Sequence, residues 1–286
     1  MFAIDTVLWR EMVFVFSAVA FLPFSLFVKS RLISYDIQAQ LGKPGNIPVA
    51  VSISGYLLGV VIILFGAYLG PSKGFQQDLF NFLAYGFLGV FLLNLARFIN
   101  YKVLFRKYYT VDEMIRDKNV GAGAVEAGSY IASALVVAGS IYGEGGGIVS
   151  TLVFFLLGQI VLLLATYVYD FFTPYDLQKE IESDNAAAGI AFSGILIGTG
   201  VILLKGIAGN FTNWQTSLVD FSISVVVSLA VFPAFRLILD KVLIPRVGLN
   251  RAIQTDRNVA VGLLEMSSTI SVSVMIYFML HFSVRL

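Results

Sequence analysis

The sequence of 286 residues contains eight apolar segments that are long enough to cross a membrane, and this feature restricts the fold more than any other. A helix needs about 20 mainly apolar residues to span the hydrocarbon core of a bilayer. The predicted segments are residues 8–29, 47–69, 77–101, 120–142, 147–170, 186–208, 214–239 and 259–282. Only 13% of the residues are charged, against about 25% in soluble domains. The sequence therefore predicts an all-α polytopic membrane protein whose first partner is the lipid bilayer.

The connections between these segments alternate in character, which predicts the side of the membrane on which each lies. Those after the first, third, fifth and seventh segments are long and charged, whereas the others are short and rich in Gly, Asn and Ser. Fifteen of the 19 Lys and Arg residues fall on the side of the long connections, and the others are Arg10, Lys73, Lys205 and Arg285. Because basic residues concentrate on the cytoplasmic side, we expect cytoplasmic long connections and both termini outside.

A stretch of thirteen residues occurs twice, which indicates an internal repeat with a period of 139 residues. Asp117–Ser129 and Asp256–Ser268 agree at Asp117, Asn119, Val120, Gly123, Glu126 and Ser129. We therefore expect two four-helix halves, residues 1–143 and 144–286, each built from two helix hairpins. Four helices return the chain to the same side of the membrane, so the halves should be parallel. A pseudo-two-fold axis along the membrane normal would then relate them.

Four asparagines open the even-numbered segments, namely Asn46, Asn119, Asn185 and Asn258. Asparagine is a favoured N-cap, because its side-chain oxygen accepts hydrogen bonds from the otherwise unpaired amides of the first turn. We interpret the four residues as helix N-caps at the cytoplasmic mouth. A role as ligands is the less favoured interpretation.

Each half also carries a carboxylate into the membrane. Glu126 and Glu265 follow their N-cap asparagines by seven residues, which places them about 10 Å along the helix. An ionisable side chain at such a depth costs on the order of 3 kcal/mol or more, so each should have a partner. Arg97 and Arg236, each 29 residues before its glutamate, are the predicted charge partners.

Two interpretations of these pairs are open from the sequence. In the functional one, both carboxylates and the hydroxyls of Ser129 and Ser268 line a shared cavity between the halves and bind a small cation or a proton. Carboxylate and hydroxyl oxygens suit hard cations. In the structural one, each Arg/Glu pair locks two neighbouring helices together.

The long connections contain a second repeated motif, Tyr-Asp-x-Gln. Tyr35 and Asp36 in the first half correspond to Tyr175 and Asp176 in the second. A repeated motif on charged connections suits the docking of a cytoplasmic protein partner, so a non-transporting membrane scaffold is the alternative function. The oligomeric state is open, and a homo-oligomer is compatible with the sequence.

Several kinds of chemistry are not predicted. The chain has no cysteine and a single histidine, His281, which excludes a thiolate site and a histidine-built metal site within one chain. We find no pair of nucleophile and base and no cofactor loop, so we predict neither an enzyme nor a bound cofactor or metal. A net charge of +1 without a basic stripe gives no indication of nucleic-acid binding.

These residues resemble domain-of-unknown-function family 350, the YjfL-type bacterial inner-membrane proteins. The resemblance covers nearly the whole chain as two tandem copies, with Asn119, Asn258, Gly123 and Gly262 as the matched positions. It implies an all-helical, multi-pass protein of the bacterial inner membrane, and it implies no activity. The duplicated intramembrane carboxylates favour a cation or proton transporter or channel, with the scaffold as the alternative.

Overall fold

The computed structural model describes residues 2–42, 46–103, 113–143 and 145–280 of the chain. Within these ranges the regular structure is helical, as predicted. The α-helices are α1 (Phe2–Leu32), α2 (Ile37–Gly42), α3 (Ile47–Tyr68), α4 (Phe75–Val103), α5 (Val120–Ile141), α6 (Gly147–Phe172), α7 (Leu177–Glu182), α8 (Ala186–Ile207), α9 (Trp214–Ile238), α10 (Leu249–Gln254) and α11 (Val259–Met279). Two π-helical segments, Glu113–Asp117 and Leu239–Leu243, precede α5 and α10. His281 and Arg285 lie outside the described residues.

Eight helices in the described part of the chain, all except α2, α7 and α10, are long and apolar enough to cross a membrane. This confirms the predicted number of spanning segments. The three short helices lie in the long connections. Each begins with a buried apolar residue, Ile37, Leu177 or Leu249, which anchors the short helix to the spanning helices.

Four helices, α3, α5, α8 and α11, form a row in which each packs along the next. We call this set the central row. The other spanning helices flank it: α1 and α4 pack on α3, α6 packs on α5 and α8, and α9 packs on α8. The two middle helices of the row are the most enclosed, with 83% of the apolar window of each buried. Polar side chains on α5 are therefore shielded from lipid.

Small residues allow the backbones of the central row to approach each other closely. Counted from the N-cap asparagine, residue 4 of each following helix faces residue 2 of the preceding helix. The pairs are Gly123 with Pro48, Gly189 with Gly121, and Gly262 with Ala187. Packing through small residues is typical of membrane helices, because close van der Waals contact holds them together in lipid. The row thus repeats one joint three times.

The row differs from the pseudo-two-fold arrangement that the repeat predicted. The two halves meet where α5 packs along α8, and these are not equivalent helices of their repeats. A two-fold axis would add the reciprocal contact of α11 with α3, which is not among the closely packed helix pairs of the described residues. The reason is that each joint brings two different helix faces together. Such a contact repeats from helix to helix in one direction along the row and does not produce the reciprocal contact of a two-fold axis.

Three of the four asparagines cap their helices through the side chain. Asn119, Asn185 and Asn258 accept hydrogen bonds at Oδ1 from the backbone N–H groups of Ala122, Ala188 and Ala260 at 2.9, 3.2 and 3.0 Å.

Asn46 departs from this pattern and corrects the expectation of four side-chain caps. Its side chain makes no capping hydrogen bond, and its amide instead donates to Gln40. Pro48 stands at the second position of α3 and has no N–H group, so one of the usual donors to an N-cap oxygen is missing.

We predict that Gly189→Leu destabilises the protein by about 3 kcal/mol, at the upper end of the cost of overpacking. A Cβ atom at Gly189 would lie 2.4 Å from the Cα atom of Gly121, on a backbone that cannot give way. Thermal unfolding in detergent, followed by tryptophan fluorescence, measures the effect. Gly70→Leu is the control, because the nearest heavy atom to a Cβ at Gly70 lies 3.9 Å away. Equal midpoints for the two variants would contradict the close joint.

Candidate functional site

The first charge pocket forms where α5 carries Glu126 against α3 and α4. Arg97 Nε lies 3.1 Å from Glu126 Oε1, and Ser52 Oγ donates to Oε2 at 2.6 Å. Tyr130, one turn further along α5, donates its hydroxyl to Oε1 at 3.2 Å. Glu126 is only 7% exposed. The structure therefore brings Arg97 and Glu126 together, and both carboxylate oxygens are hydrogen-bonded.

A second cation, Lys29 of α1, completes this pocket. Lys29 is fully buried, and its Nζ donates to the Tyr130 hydroxyl at 2.8 Å. The ammonium lies 4.1 Å from the ring centroid of Tyr130 and 4.6 Å from that of Tyr56, within the range at which an aromatic face attracts a cation. Its hydrogen-bond partner is thus a neutral hydroxyl, not a carboxylate. Two cations and one carboxylate share the first charge pocket.

The second charge pocket surrounds Glu265 of α11. Arg236 Nε lies 2.8 Å from Glu265 Oε1, and the Tyr169 hydroxyl donates to the same oxygen at 3.4 Å. Arg236 also donates to Asn250 Oδ1 at 2.8 Å and to the Tyr175 hydroxyl at 3.3 Å. Glu265 is 1% exposed, and its Oε2 atom has no hydrogen-bond partner in the part of the chain that the structure describes. The second carboxylate is therefore less fully complemented than the first.

Two tyrosines from the long connections lie beside these pockets. Burial, opposed by the nearby Arg236 guanidinium, raises the pKa of Tyr175 to about 12. Burial and the charge of Glu126 raise the pKa of Tyr35 well above its ordinary value. Both hydroxyls consequently stay protonated around neutral pH, and Tyr175 is available as a hydrogen-bond donor.

Among the described residues the two carboxylates have separate hydrogen-bond partners, which corrects the expectation of a common site between the halves. The hydrogen-bond partners of Glu126 come from the first half, and those of Glu265 come from the second. The central row explains the separation, because α8 packs between α5 and α11. Each half has a charge pocket of its own.

Ser129 and Ser268 occupy equivalent positions but have different surroundings. Ser129 Oγ accepts from Asn100 Nδ2 at 2.6 Å. Ser268 donates to backbone carbonyls of its own helix, so its hydroxyl is not a partner of the Glu265 carboxylate. Among the described residues, neither serine hydroxyl is a hydrogen-bond partner of its glutamate, so the predicted pair of carboxylate and hydroxyl is found in neither half. The residue equivalent to Asn100 is the apolar Leu239, which offers the hydroxyl no hydrogen bond.

A buried polar cluster lies deeper along the same side of α5. We call Asn100, Ser129, Ser133 and Gln159 the mid-membrane cluster; each is at most 6% exposed. Ser133 Oγ donates to Gln159 Oε1 at 3.2 Å, and Asn100 Nδ2 lies 3.5 Å from the same oxygen. Asn100 Oδ1 and Gln159 Nε2 have no hydrogen-bond partner within the described ranges. Because buried polar groups are normally paired, these two atoms indicate a site that accepts a further polar group.

The Tyr-Asp-x-Gln residues have local roles in the structure. Asp36 accepts from the backbone N–H of Gln38 at 2.8 Å, and Asp176 accepts from that of Lys179 at 3.1 Å. The two aspartates thereby stabilise the first turns of α2 and α7. Tyr175 belongs to the second charge pocket. These contacts account for the repetition of the motif, and the docking of a protein partner stays a prediction.

Several pocket residues were not predicted as site residues: Lys29, Ser52, Asn100, Tyr130, Gln159 and Tyr169. One signal could have found two of them. The one-residue slippage that relates Tyr35 to Tyr175 also relates Lys29 to Tyr169, and both side chains lie in the charge pockets of their halves. The partners on other helices give no such signal, because sequence spacing does not reveal which helix faces meet.

Comparisons with known proteins point to one family. The family model described as Domain of Unknown Function (DUF350) matches residues 4–141 and again residues 145–280. The UPF0719 inner membrane protein YjfL of Escherichia coli strain K12, and that of Escherichia coli O157:H7, are each 32% identical to the chain over 84 residues. That match spans 29% of this chain and 63% of each relative, which is less than two thirds of their length. No solved structure matches the chain significantly.

We predict that Arg236→Met destabilises the protein more than Arg97→Met does. Without Arg236, Glu265 keeps a single hydroxyl donor, and breaking a buried ion pair in this way costs about 3–5 kcal/mol. Glu126 keeps two hydroxyl donors when Arg97 is removed. Unfolding in detergent compares the two variants. The double variant Arg236→Met, Glu265→Leu should regain part of the loss, and equal losses in both single variants would contradict the difference.

Proposed function

The chain belongs to the family described as Domain of Unknown Function (DUF350), and from this premise we propose that it conducts protons across the inner membrane. Conduction runs along α5, by way of the first charge pocket and the mid-membrane cluster. The protein is not an enzyme in this proposal and uses no cofactor or metal.

A directed chain of hydrogen bonds carries the proposal. Lys29 Nζ donates to the Tyr130 hydroxyl, and that hydroxyl donates to Glu126. A proton can pass from the ammonium to the tyrosine oxygen while the tyrosine's own proton passes to the carboxylate. Lys29 is then neutral, Glu126 is a carboxylic acid and Tyr130 is restored. Ionisable groups inside a membrane mark functional pathways by default. These hydrogen bonds link two such groups, Lys29 and Glu126.

The first charge pocket suits a proton better than a metal cation. Both oxygens of Glu126 already accept hydrogen bonds, from Arg97, Ser52 and Tyr130. A hard cation needs several oxygen ligands and would have to displace these donors. Lys29 and Arg97 would also repel it. A proton needs no shell of ligands, so the transported species is a proton.

The polar side of α5 supports a path from the pocket toward the other end of the helix. Glu126, Ser133 and Ser140 are spaced by seven residues, which keeps them on one side of the helix. The partnerless atoms of Asn100 and Gln159 can bind water in the mid-membrane cluster. Further along, Ser140 lines a cavity of about 30 Å³.

The second half has a structural role in this proposal. The residues equivalent to Asn100 and Ser133 are Leu239 and Val272, so these two polar groups of the mid-membrane cluster have no polar counterpart in the second half. Arg236 and Glu265 hold α9 and α11 together across the membrane. A substitution of Glu265, the residue equivalent to Glu126, is therefore the matched control for each experiment on Glu126.

The scaffold alternative has less support. It rests on the charged long connections, but Tyr175 is buried against Arg236, and Asp36 and Asp176 bond to the first turns of short helices. These hydrogen bonds give the three motif residues structural roles within the protein.

We also propose that the halves are parallel and that the long connections are cytoplasmic, with both termini outside. The bias of fifteen basic residues to four supports this orientation. The first charge pocket then lies toward the cytoplasmic side.

We predict that Glu126→Gln reduces proton flux to that of protein-free liposomes, because a carboxamide cannot take the proton that Tyr130 releases. Lys29→Met should have the same effect, since the proton source is removed. Proteoliposomes with an enclosed pH-sensitive dye and an imposed potassium diffusion potential measure the flux. Glu265→Gln is the matched control and should keep the flux of the unmodified chain.

Two outcomes would remove the proposal. One is an unmodified chain that conducts no better than empty liposomes. The other is a flux that Glu126→Gln and Glu265→Gln leave equally intact.

We predict that Ser72→Cys reacts with a membrane-impermeant maleimide in intact cells, whereas Ser183→Cys reacts only after permeabilisation. Both serines are exposed, Ser72 on a short connection and Ser183 on a long one. The chain has no cysteine of its own, so the unmodified protein serves as the blank. The reverse pattern would mean that the long connections lie outside.

A further inference from the structure

We propose that copies of this chain assemble head to tail, with α11 of one copy packed along α3 of the next. The proposal does not depend on proton conduction and concerns the two ends of the central row. The three internal joints of the row share one geometry, and both faces needed for a fourth joint are open.

The internal joints agree in register along their whole length. Counted from the N-cap asparagines, residues 2, 9, 13 and 20 of the preceding helix face residues 4, 8, 15 and 19 of the following helix. Between α5 and α8, these pairs are Gly121 with Gly189, Gly128 with Ser193, Ala132 with Gly200, and Gly139 with Leu204. The first three levels recur between α8 and α11 as Ala187 with Gly262, Gly194 with Met266, and Gly198 with Ser273.

The outer face of α11 repeats the face that its predecessors bury. Residues 2, 9, 13 and 20 of α11 are Ala260, Ser267, Ser271 and Phe278, and all four are exposed. Ser267 and Ser271 donate to carbonyls of their own helix at 3.2 and 2.8 Å. Ser193, which is buried in an internal joint, does the same at 2.6 Å. The two exposed serines are therefore small and already satisfied, as a close joint requires.

The outer face of α3 is complementary to that of α11. Its residues 4, 8, 15 and 19 are Ala50, Ser54, Val61 and Phe65. Ser54 and Phe65 are exposed, and Ala50 and Val61 are half-buried. The shared register would place Ala260 against Ala50, Ser267 against Ser54, Ser271 against Val61, and Phe278 against Phe65. Small residues thus meet at two levels, where helices can approach closely, and two aromatic rings meet at the far end.

The N-cap asparagines add a second, polar element to two of the three internal joints. Asn119 Nδ2 donates to the carbonyl of Ile181, and Asn185 Nδ2 donates to that of Ile253 at 2.8 Å. Each carbonyl belongs to the short helix that precedes the next helix of the row. Asn258 is exposed and has no such acceptor among the described residues of its own chain. The equivalent acceptor is the carbonyl of Leu41 in α2 of the following copy.

The burial of the flanking helices agrees with a missing neighbour. By the 139-residue period, α6 corresponds to α1, and α6 packs on α5 of the preceding half as well as on α8. Half of the apolar window of α6 is buried, against 11% for α1. In a head-to-tail assembly α1 would pack on α11 of the preceding copy, as α6 packs on α5.

The family comparison supports such a contact between separate chains. The joint between α5 and α8 unites the two segments that match the family model, residues 4–141 and 145–280. Since 84 residues are 63% of the Escherichia coli relative, that protein has about 133 residues, the length of one segment. The joint is therefore one between whole family units, and a second copy of this chain offers the same unit.

Disulfide cross-linking tests the proposal, because the chain has no cysteine. Ser54→Cys and Ser267→Cys, introduced into one chain and oxidised in membrane vesicles, should give a ladder of products at multiples of 31.2 kDa. Each single variant should stay monomeric, since the joint unites unlike faces. The two single variants expressed together should stop at the dimer.

The control pair is Ser54→Cys with Ser222→Cys, because Ser222 is exposed on α9, outside the central row. Cross-linking no greater than in this control would overturn the proposal, and so would cross-linking of a single variant with itself. Native mass spectrometry of the unmodified chain gives a second readout. Oligomers are expected, and monomers alone would contradict head-to-tail assembly.

Discussion

The requirement that polar groups in lipid find partners within the protein governs this structure. The central row meets it by close packing, because glycines and alanines bring the backbones of α3, α5, α8 and α11 together and enclose the middle helices. On such an enclosed helix Glu126 is held by an arginine and two hydroxyls without contact with lipid tails. The first charge pocket thus depends on the small residues that bring the helices of the central row together.

The duplication helps to separate structure from function. Both halves keep the asparagine, glycine, arginine and glutamate framework, which fixes the N-termini of the row helices and one ion pair per half. They differ in what surrounds the ion pair. The first half adds Lys29, Asn100 and Ser133, whereas the second has Tyr169, Leu239 and Val272 at the corresponding positions. A framework common to both halves indicates a structural need, and the polar groups present in only one half indicate where a proton could move.

Sequence patterns predicted the spanning helices well, because about 20 consecutive apolar residues have few alternatives in a bilayer. The repeat also predicted that Arg97 would pair with Glu126 and Arg236 with Glu265. Lys29 was counted with the basic residues of the long connections, since a lysine near a helix end usually reaches the interface. The structure buries Lys29 because the rings of Tyr56 and Tyr130 lie against its ammonium group. The shared cavity was wrong for a related reason: a repeat fixes which residues are equivalent, but it does not fix which helix packs between them.

The central claim is that Glu126 takes up a proton from Lys29 through Tyr130. Infrared difference spectroscopy of the protein in membranes, recorded across a pH jump, tests it most directly, because a protonated carboxyl group has its own C=O stretching band. We predict a carboxyl band that Glu126→Gln abolishes and Glu265→Gln leaves in place. A spectrum without such a band, or with one that disappears only in Glu265→Gln, would contradict proton transfer to Glu126.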